Sequence, residues 1–387
     1  MIFLLLNSLL LLIMCCINPI NPEITEQTNM LVVDGSIIKG QEIQTIRISR
    51  STTTNQPEYL PVEHCQVKVE ADSGNEFVFQ ETKAGEYTAM IADTLLTFNS
   101  YYKLVFSTPE GNTYKSANQT LLATPPVDSL YCVVGKHYLA SVNSEIKGLQ
   151  YYVDIKAPDD APRFYRWQIE ETWEKHAAYQ FNGFFDGQKI YFSLYPEDSL
   201  QICWDTEDIN GFFVSSTTDQ LRNEKLRIPL FFIDSTSEKL RVKYCVTIKQ
   251  FALNEDAFIY WQQKMQESNE NGSIYARQPS VTISNIYNID NSSEQVPGFF
   301  WVSSIHIKHF CVVRPFEQPG PKCSAISFGF HISDSAHISV YTHSNVLPPE
   351  PPFYFWKDAL GYHTTYRKEC MDCRQGGGTT RKPDFWK

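Results

Sequence analysis

A chain of 387 residues with 42 % hydrophobic and 14 % aromatic content can bury real cores, and its length suits two or three domains. The formal net charge is −11 and no run of Lys or Arg occurs, so neither nucleic acid nor an anionic membrane surface is expected as the main partner, since both need clustered cations. No composition signature of disorder extends beyond the termini.

The first element is an apolar run from Ile2 to Met14, broken only by Asn7 and Ser8 and followed by Cys15 and Cys16. At about 13 residues it is too short to span a bilayer, which takes about 20, and it reads as the core of an export signal. A cysteine directly after the run matches a lipoprotein signal, with Cys16 as the acylated residue and 1–15 as the signal peptide. The alternative is an ordinary signal that contains cysteines. Residues 16–30, rich in Asn, Pro and Glu, form a polar tether that holds a domain off its membrane.

From Leu31 the pattern is β. The segments QEIQTIRIS, CQVKVEA, EFVFQE and YYKLVFS alternate apolar and polar residues, and Asp72-Ser73-Gly74-Asn75 and Pro109-Glu110-Gly111-Asn112 are turn signals between them. Short strands without helical periodicity over 31–123 predict an Ig-like or transthyretin-like β-sandwich. Thr124-Pro125-Pro126 interrupts the pattern and marks the expected domain boundary. A larger β-rich domain is expected over 124–347, with one main helix at 255–270. Asn254 is its expected N-cap and Ala257, Trp261 and Met265 its apolar face. The fold class is therefore mainly β. Pro348-Pro349-Glu350-Pro351-Pro352 opens a stretch, 348–387, expected to be a stiff spacer and a Cys/Gly-rich tail.

With Cys15 removed and Cys16 acylated, eight of the ten cysteines remain: Cys65, Cys132, Cys203, Cys245, Cys311, Cys323, Cys370 and Cys373. An even number in an exported chain predicts disulfides, although about 105 pairings are open to eight cysteines. Cys370-x-x-Cys373 has redox spacing but lacks a βαβ setting, and no second such pair completes a zinc site, so structural disulfides are the expectation for the tail. His331, His337 and His343 are too far apart along a strand to share a metal, at about 20 Å for six residues; His306 and His309 face opposite sides. Neither a metal nor a cofactor motif is found, and no G-x-S-x-G, H-E-x-x-H, Walker or dinucleotide pattern occurs. Trp261, Phe299, Phe300 and Trp301 are candidates for a contact surface, against the more common role of such residues as core.

Several stretches taken together resemble an uncharacterised family of Bacteroidota outer-membrane lipoproteins that carries a domain-of-unknown-function label. They are Cys16-Ile17-Asn18-Pro19, Pro125-Pro126-Val127-Asp128-Ser129, Tyr165-Arg166-Trp167, Cys203-Trp204, Gln250-Phe251, Tyr260-Trp261, Gly272-Ser273-Ile274-Tyr275 with Gln278-Pro279, Val296-Pro297-Gly298-Phe299-Phe300, Cys370-x-x-Cys373-Arg374 and Pro383-Asp384-Phe385-Trp386. Pro297 departs from the pattern. The resemblance implies a lipid-anchored position on the outer membrane and a TonB-dependent receptor as partner; it supplies no catalytic residues. The expectation is a non-catalytic accessory or binding lipoprotein of the cell surface. The alternative is a surface enzyme, either a glycan or peptide hydrolase or a thiol–disulfide enzyme using Cys370 and Cys373.

Overall fold

A computed structural model describes residues 29–51, 59–139, 143–193, 200–270, 283–332, 338–342 and 346–387. The signal, Cys16, most of the tether, Gly272 to Tyr275, Gln278-Pro279, His337 and His343 lie outside the described residues.

The chain is mainly β. Its first nine strands are β1 (Leu31–Lys39), β2 (Ile43–Arg50), β3 (Leu60–Pro61), β4 (Gln66–Ala71), β5 (Glu76–Lys83), β6 (Glu86–Met90), β7 (Tyr101–Ser107), β8 (Thr113–Ser116) and β9 (Gln119–Thr120). They build the expected sandwich around a core that includes Ile37, Ile46, Tyr87, Val69 and Phe106. Alternation is the cause: in β4 and β5 every second residue is buried, so one face is apolar and seeks a second layer.

The second half holds β10 (Ser129–Leu139), β11 (Ser144–Lys156), β12 (Phe164–His176), β13 (Gly183–Phe185), β14 (Ile190–Phe192), β15 (Ile202–Asp208), β16 (Phe213–Ser216), β17 (Glu224–Asp234), β18 (Lys243–Ala252), helix α1 (Glu255–Glu270), β19 (Ile286–Asn288), β20 (Gly298–Val313), β21 (Ile326–Ile332), β22 (Ile338–Thr342), β23 (Phe353–Asp358) and β24 (Gly361–Thr364). The order β10-β11-β17 forms one small sheet, and β14-β13-β23-β24-β21-β22 another with a phenylalanine core of Phe185, Phe328, Phe353 and Phe355.

The 16-residue strand β20 joins the halves. Its first part pairs in parallel with β1, from Val33↔Gly298 to Lys39↔Ser304, and its second part pairs antiparallel with β18, from Phe251↔Ile305 to Lys243↔Val313. Strand β19 adds to β8 at the far edge. The sandwich of 31–123 is thus completed by residues 286–304, and Phe300 and Val302 enter its core. The boundary at Thr124 is closed: Thr124 N–H donates to Ser304 Oγ (2.8 Å), its hydroxyl to Ser304 O (2.6 Å), and Gln250 Nε2 to Pro125 O (2.8 Å). The expected division of the chain into 31–123 and 124–347 therefore does not follow the hydrogen-bonded framework, because a long strand from the second segment is shared by both.

Residues 348–387 are also folded, correcting the expectation of a spacer and tail. β23 and β24 pair within the six-stranded sheet, and Cys370, Met371, Asp372, Cys373 and Trp386 are buried. The prolines precede a strand without preventing one.

Candidate functional site

Helix α1 begins and ends where its periodicity predicts, and it lays Ala257, Phe258 and Trp261 on the outer face of the shared sheet. The Asn254 side chain does not cap it. Asn254 Nδ2 instead donates to Thr120 O (3.1 Å), tying the start of the helix to β9.

Under the helix lies an aromatic cluster. Tyr260 stacks on Phe299 (centroids 4.9 Å apart), and Trp301 meets both Trp261 (6.0 Å) and Phe251 (5.3 Å) edge-on. Trp261, Phe299, Phe300 and Trp301 are all at most 8 % exposed, so they take the commoner role of core, and their candidacy as a contact surface is corrected. Strand alternation explains the split: Phe299 and Trp301 face the helix while Phe300 faces the sandwich. The cluster encloses Arg166, a residue with no local sequence signal for this role. The Arg166 guanidinium sits 4.0 Å from the Trp261 ring, 5.1 Å from Trp301 and 5.6 Å from Phe251. Its Nε and the Trp261 Nε1 are buried without hydrogen-bond partners. Desolvation lowers its pKa to about 10, opposed by the charge of Asp34, which leaves it a cation at neutral pH. Asp34 keeps exposed surface but is flanked by so much protein that desolvation raises its carboxyl above the usual range, against the attraction of Arg47 and Arg166. Cation–π contacts, at about 0.5–2 kcal/mol each, offset part of the cost of burying Arg166.

The cysteines define a second location. Cys203–Cys373, Cys245–Cys311 and Cys323–Cys370 are disulfides, with Cα atoms 5.7, 4.0 and 6.0 Å apart. Cys370 and Cys373 do not pair with each other; each holds a different part of the body, which fits the stapling expectation. Cys245–Cys311 bridges directly opposed residues of β18 and β20. Cys65 and Cys132 are free, correcting their candidacy as disulfide partners. One lies in the sandwich core and the other on β10, against a different core, and burial pushes both thiols up and keeps them protonated.

Two of these disulfides wall a cavity of about 390 Å³. It is bounded by the end of β12 (Glu174, Lys175, His176), by Glu238 and Arg241 before β18, by Lys322, and by the segment from Arg367 to Gly376. Tyr179 N–H donates to Cys370 O (2.9 Å) and Lys175 Nζ to Gly376 O (2.7 Å), so the wall is fixed by hydrogen bonds as well as by sulfur. A second cavity, of about 530 Å³, shares His176, Arg241 and Pro321 with it.

A third arrangement could not be read from spacing. Ser327 Oγ lies 3.0 Å from His363 Nδ1, and His363 Nε2 lies 2.8 Å from Asp358 Oδ1. Cross-strand pairing brings Ser327 and His363 opposite each other on β21 and β24. The His363 contact and backbone N–H groups hold the Asp358 carboxyl below the usual range. Serine, base and orienting carboxylate are the parts of a hydrolytic triad. However, Ser327 sits within a strand paired on both sides, where amides are largely committed to the ladders and not free to hold an oxyanion. His306 and His309 lie on opposite faces of β20, as expected; His306 Nδ1 accepts from Val127 N–H (3.2 Å) and His309 Nδ1 lies 2.9 Å from Thr247 Oγ1.

A family model matches residues 17–309, which is most of the chain. The chain belongs to that family, described as Domain of unknown function (DUF4249). The DUF4249 match takes in the sandwich, the Arg166 cluster, helix α1 and most of β20. Beyond it lie Cys311, Cys323, Cys370, Cys373 and the strands β21 to β24. No curated protein matches this DUF4249 chain. No helix among its described residues is long and apolar enough to cross a membrane.

Proposed function

We propose that this DUF4249 chain is an exported lipoprotein, acylated at Cys16 and anchored at the outer-membrane surface of a Bacteroidota cell, where it acts as a non-catalytic binding accessory of a TonB-dependent receptor. The observation that carries the exported setting is the set of three disulfides in a chain that opens with a short apolar run ending in cysteine. Cytosolic thiols stay reduced, whereas these six cysteines are used as ties between elements. The accessory role is supported by the resemblance of the named motifs to outer-membrane lipoproteins and by the use of Cys370 and Cys373 in separate structural bonds, which leaves no C-x-x-C dithiol for exchange chemistry. Gentle purification of tagged protein from its own outer membrane tests the reading. A stoichiometric TonB-dependent receptor in the eluate is expected; a chain that elutes alone, with receptors intact in the same extract, contradicts it.

One observation favours a second reading, a surface hydrolase: the Ser327–His363–Asp358 chain of hydrogen bonds. A fluorophosphonate probe separates the readings. Labelling of the wild type that disappears in Ser327→Ala supports hydrolysis, and absence of labelling supports the accessory role.

A further inference from the structure

We propose that the crevice between helix α1 and strand β1, with Arg166 on one side and Asp34 on the other, binds a small zwitterion that carries both a carboxylate and an ammonium group, an amino acid or a short peptide. The inference names a ligand class and stands whether or not the chain docks on a receptor.

Sheet register places the two charges. Asp34 pairs with Phe299 in the parallel β1–β20 ladder, and paired residues share a face, so Asp34 stands on the side that Phe299 and α1 occupy. Arg166 enters that side from β12, two strands beyond β20, and its guanidinium lies over Phe251 and Trp301. Asp34 and Arg166 attract each other through space yet form no ion pair. The other charges nearby are already matched: Arg47 by Glu86 (3.0 Å) and Lys264 by Glu267 (2.9 Å).

One cation and one carboxyl group are therefore left over. The Trp261 ring covers the guanidinium, and Arg166 Nε is sealed. Nη1 and Nη2 differ, because they donate to no acceptor among the described residues and keep accessible surface. The Asp34 carboxyl accepts no hydrogen bond among the described residues, and the Tyr260 hydroxyl, on α1, has no partner and is not sealed. Asp34 is exposed yet closely surrounded by protein, as the wall of a crevice is and an open surface is not.

This pairing selects the ligand. A carboxylate suits the free edge of the guanidinium, where charge-assisted hydrogen bonds form. A simple anion leaves Asp34 desolvated and unmatched, and a simple cation leaves Arg166 so. A ligand with both charges satisfies both groups, and its ammonium favours the ionised form of Asp34. The three rings hold the guanidinium in place before a ligand arrives, which lowers the ordering cost of binding.

The test is titration calorimetry of the full mature chain, disulfides intact, with leucine and with leucyl-leucine, whose apolar side chains suit the aromatic surroundings. N-acetylleucine and leucinamide, each lacking one of the charges, are the controls. Heat from leucine, from the dipeptide or from both is expected, with the controls weaker by about tenfold or more; which zwitterion binds identifies the source as amino acid or peptide. Asp34→Asn, at an exposed position where folding is not at stake, and Arg166→Met, which puts an apolar chain in place of an unpaired cation, should each weaken binding by about tenfold or more. No heat from either zwitterion, controls that bind as tightly as the zwitterions, or affinities that both variants leave unchanged overturn the proposal.

Discussion

At Gly298 the chain turns into β20 with φ at +112°, and a Cβ there would lie 1.9 Å from Val33 O. Only glycine allows the parallel pairing with β1 to begin, since an L side chain is strained at this φ and collides with backbone. Gly298→Ala is expected to destabilise the protein by about 2–4 kcal/mol, measured by urea unfolding. His306 makes a pH-dependent contact at the joint. Burial and Lys308 lower its pKa below 6.5, and its Nδ1 must be unprotonated to accept from Val127 N–H. The folded pKa is below the unfolded one, so this contribution is present above pH 6.5 and is lost as pH falls through the folded value. As pH falls from 7.5 through the folded value, the joint at 124–128 should become easier to cut by protease, a change of about 1 kcal/mol that His306→Gln should abolish. Arg166 teaches the converse lesson about reading sequences. Trp261, Phe299 and Trp301 were legible as a group, but their purpose was not, because a lone arginine in a strand gives no sign that three rings from two other strands and a helix will close on it.

Helix α1 was legible to its ends because an apolar face through Ala257, Phe258 and Trp261, acids in the first turn and Asn271-Gly272 after it are strong local signals. The tie from the Asn254 side-chain amide to β9 was not, because it is a tertiary contact. β23 also had a readable signal. In Phe353-Tyr354-Phe355 the two phenylalanines are buried and the tyrosine less so, a strand alternation that the preceding prolines obscured. Disulfide pairing was out of reach, since it depends on which elements meet. The Cys323–Cys370 bond spans 47 residues and fastens the segment after β24 to the strand-free run before β21. Replacing both cysteines by serine should cost about 2–5 kcal/mol and make the chain susceptible to cleavage around Cys370. Denaturant midpoints and protease mapping of the double variant against the wild type check this.

Across the whole molecule, the sandwich was legible from local alternation, whereas its completion by β19 and β20 was not. Parallel partners such as Val33 and Gly298 are far apart in sequence, and nothing local announces which strand will fill an edge. A fragment of residues 31–123 is therefore expected to fail as an independent fold, because it leaves the core contacts of Phe300 and Val302 unmade. Poorly dispersed amide resonances would agree; a well-dispersed, cooperatively unfolding fragment would not. At the same scale, the three disulfides among the described residues hint at a setting outside the cytoplasm, and the lipid anchor at Cys16 is the part of the proposal still to be tested. The most direct test is membrane fractionation of the wild type and Cys16→Ser in a Bacteroidota host. Wild-type protein is expected in the outer-membrane fraction and the variant released from it; equal membrane association of both would contradict a lipid anchor at Cys16.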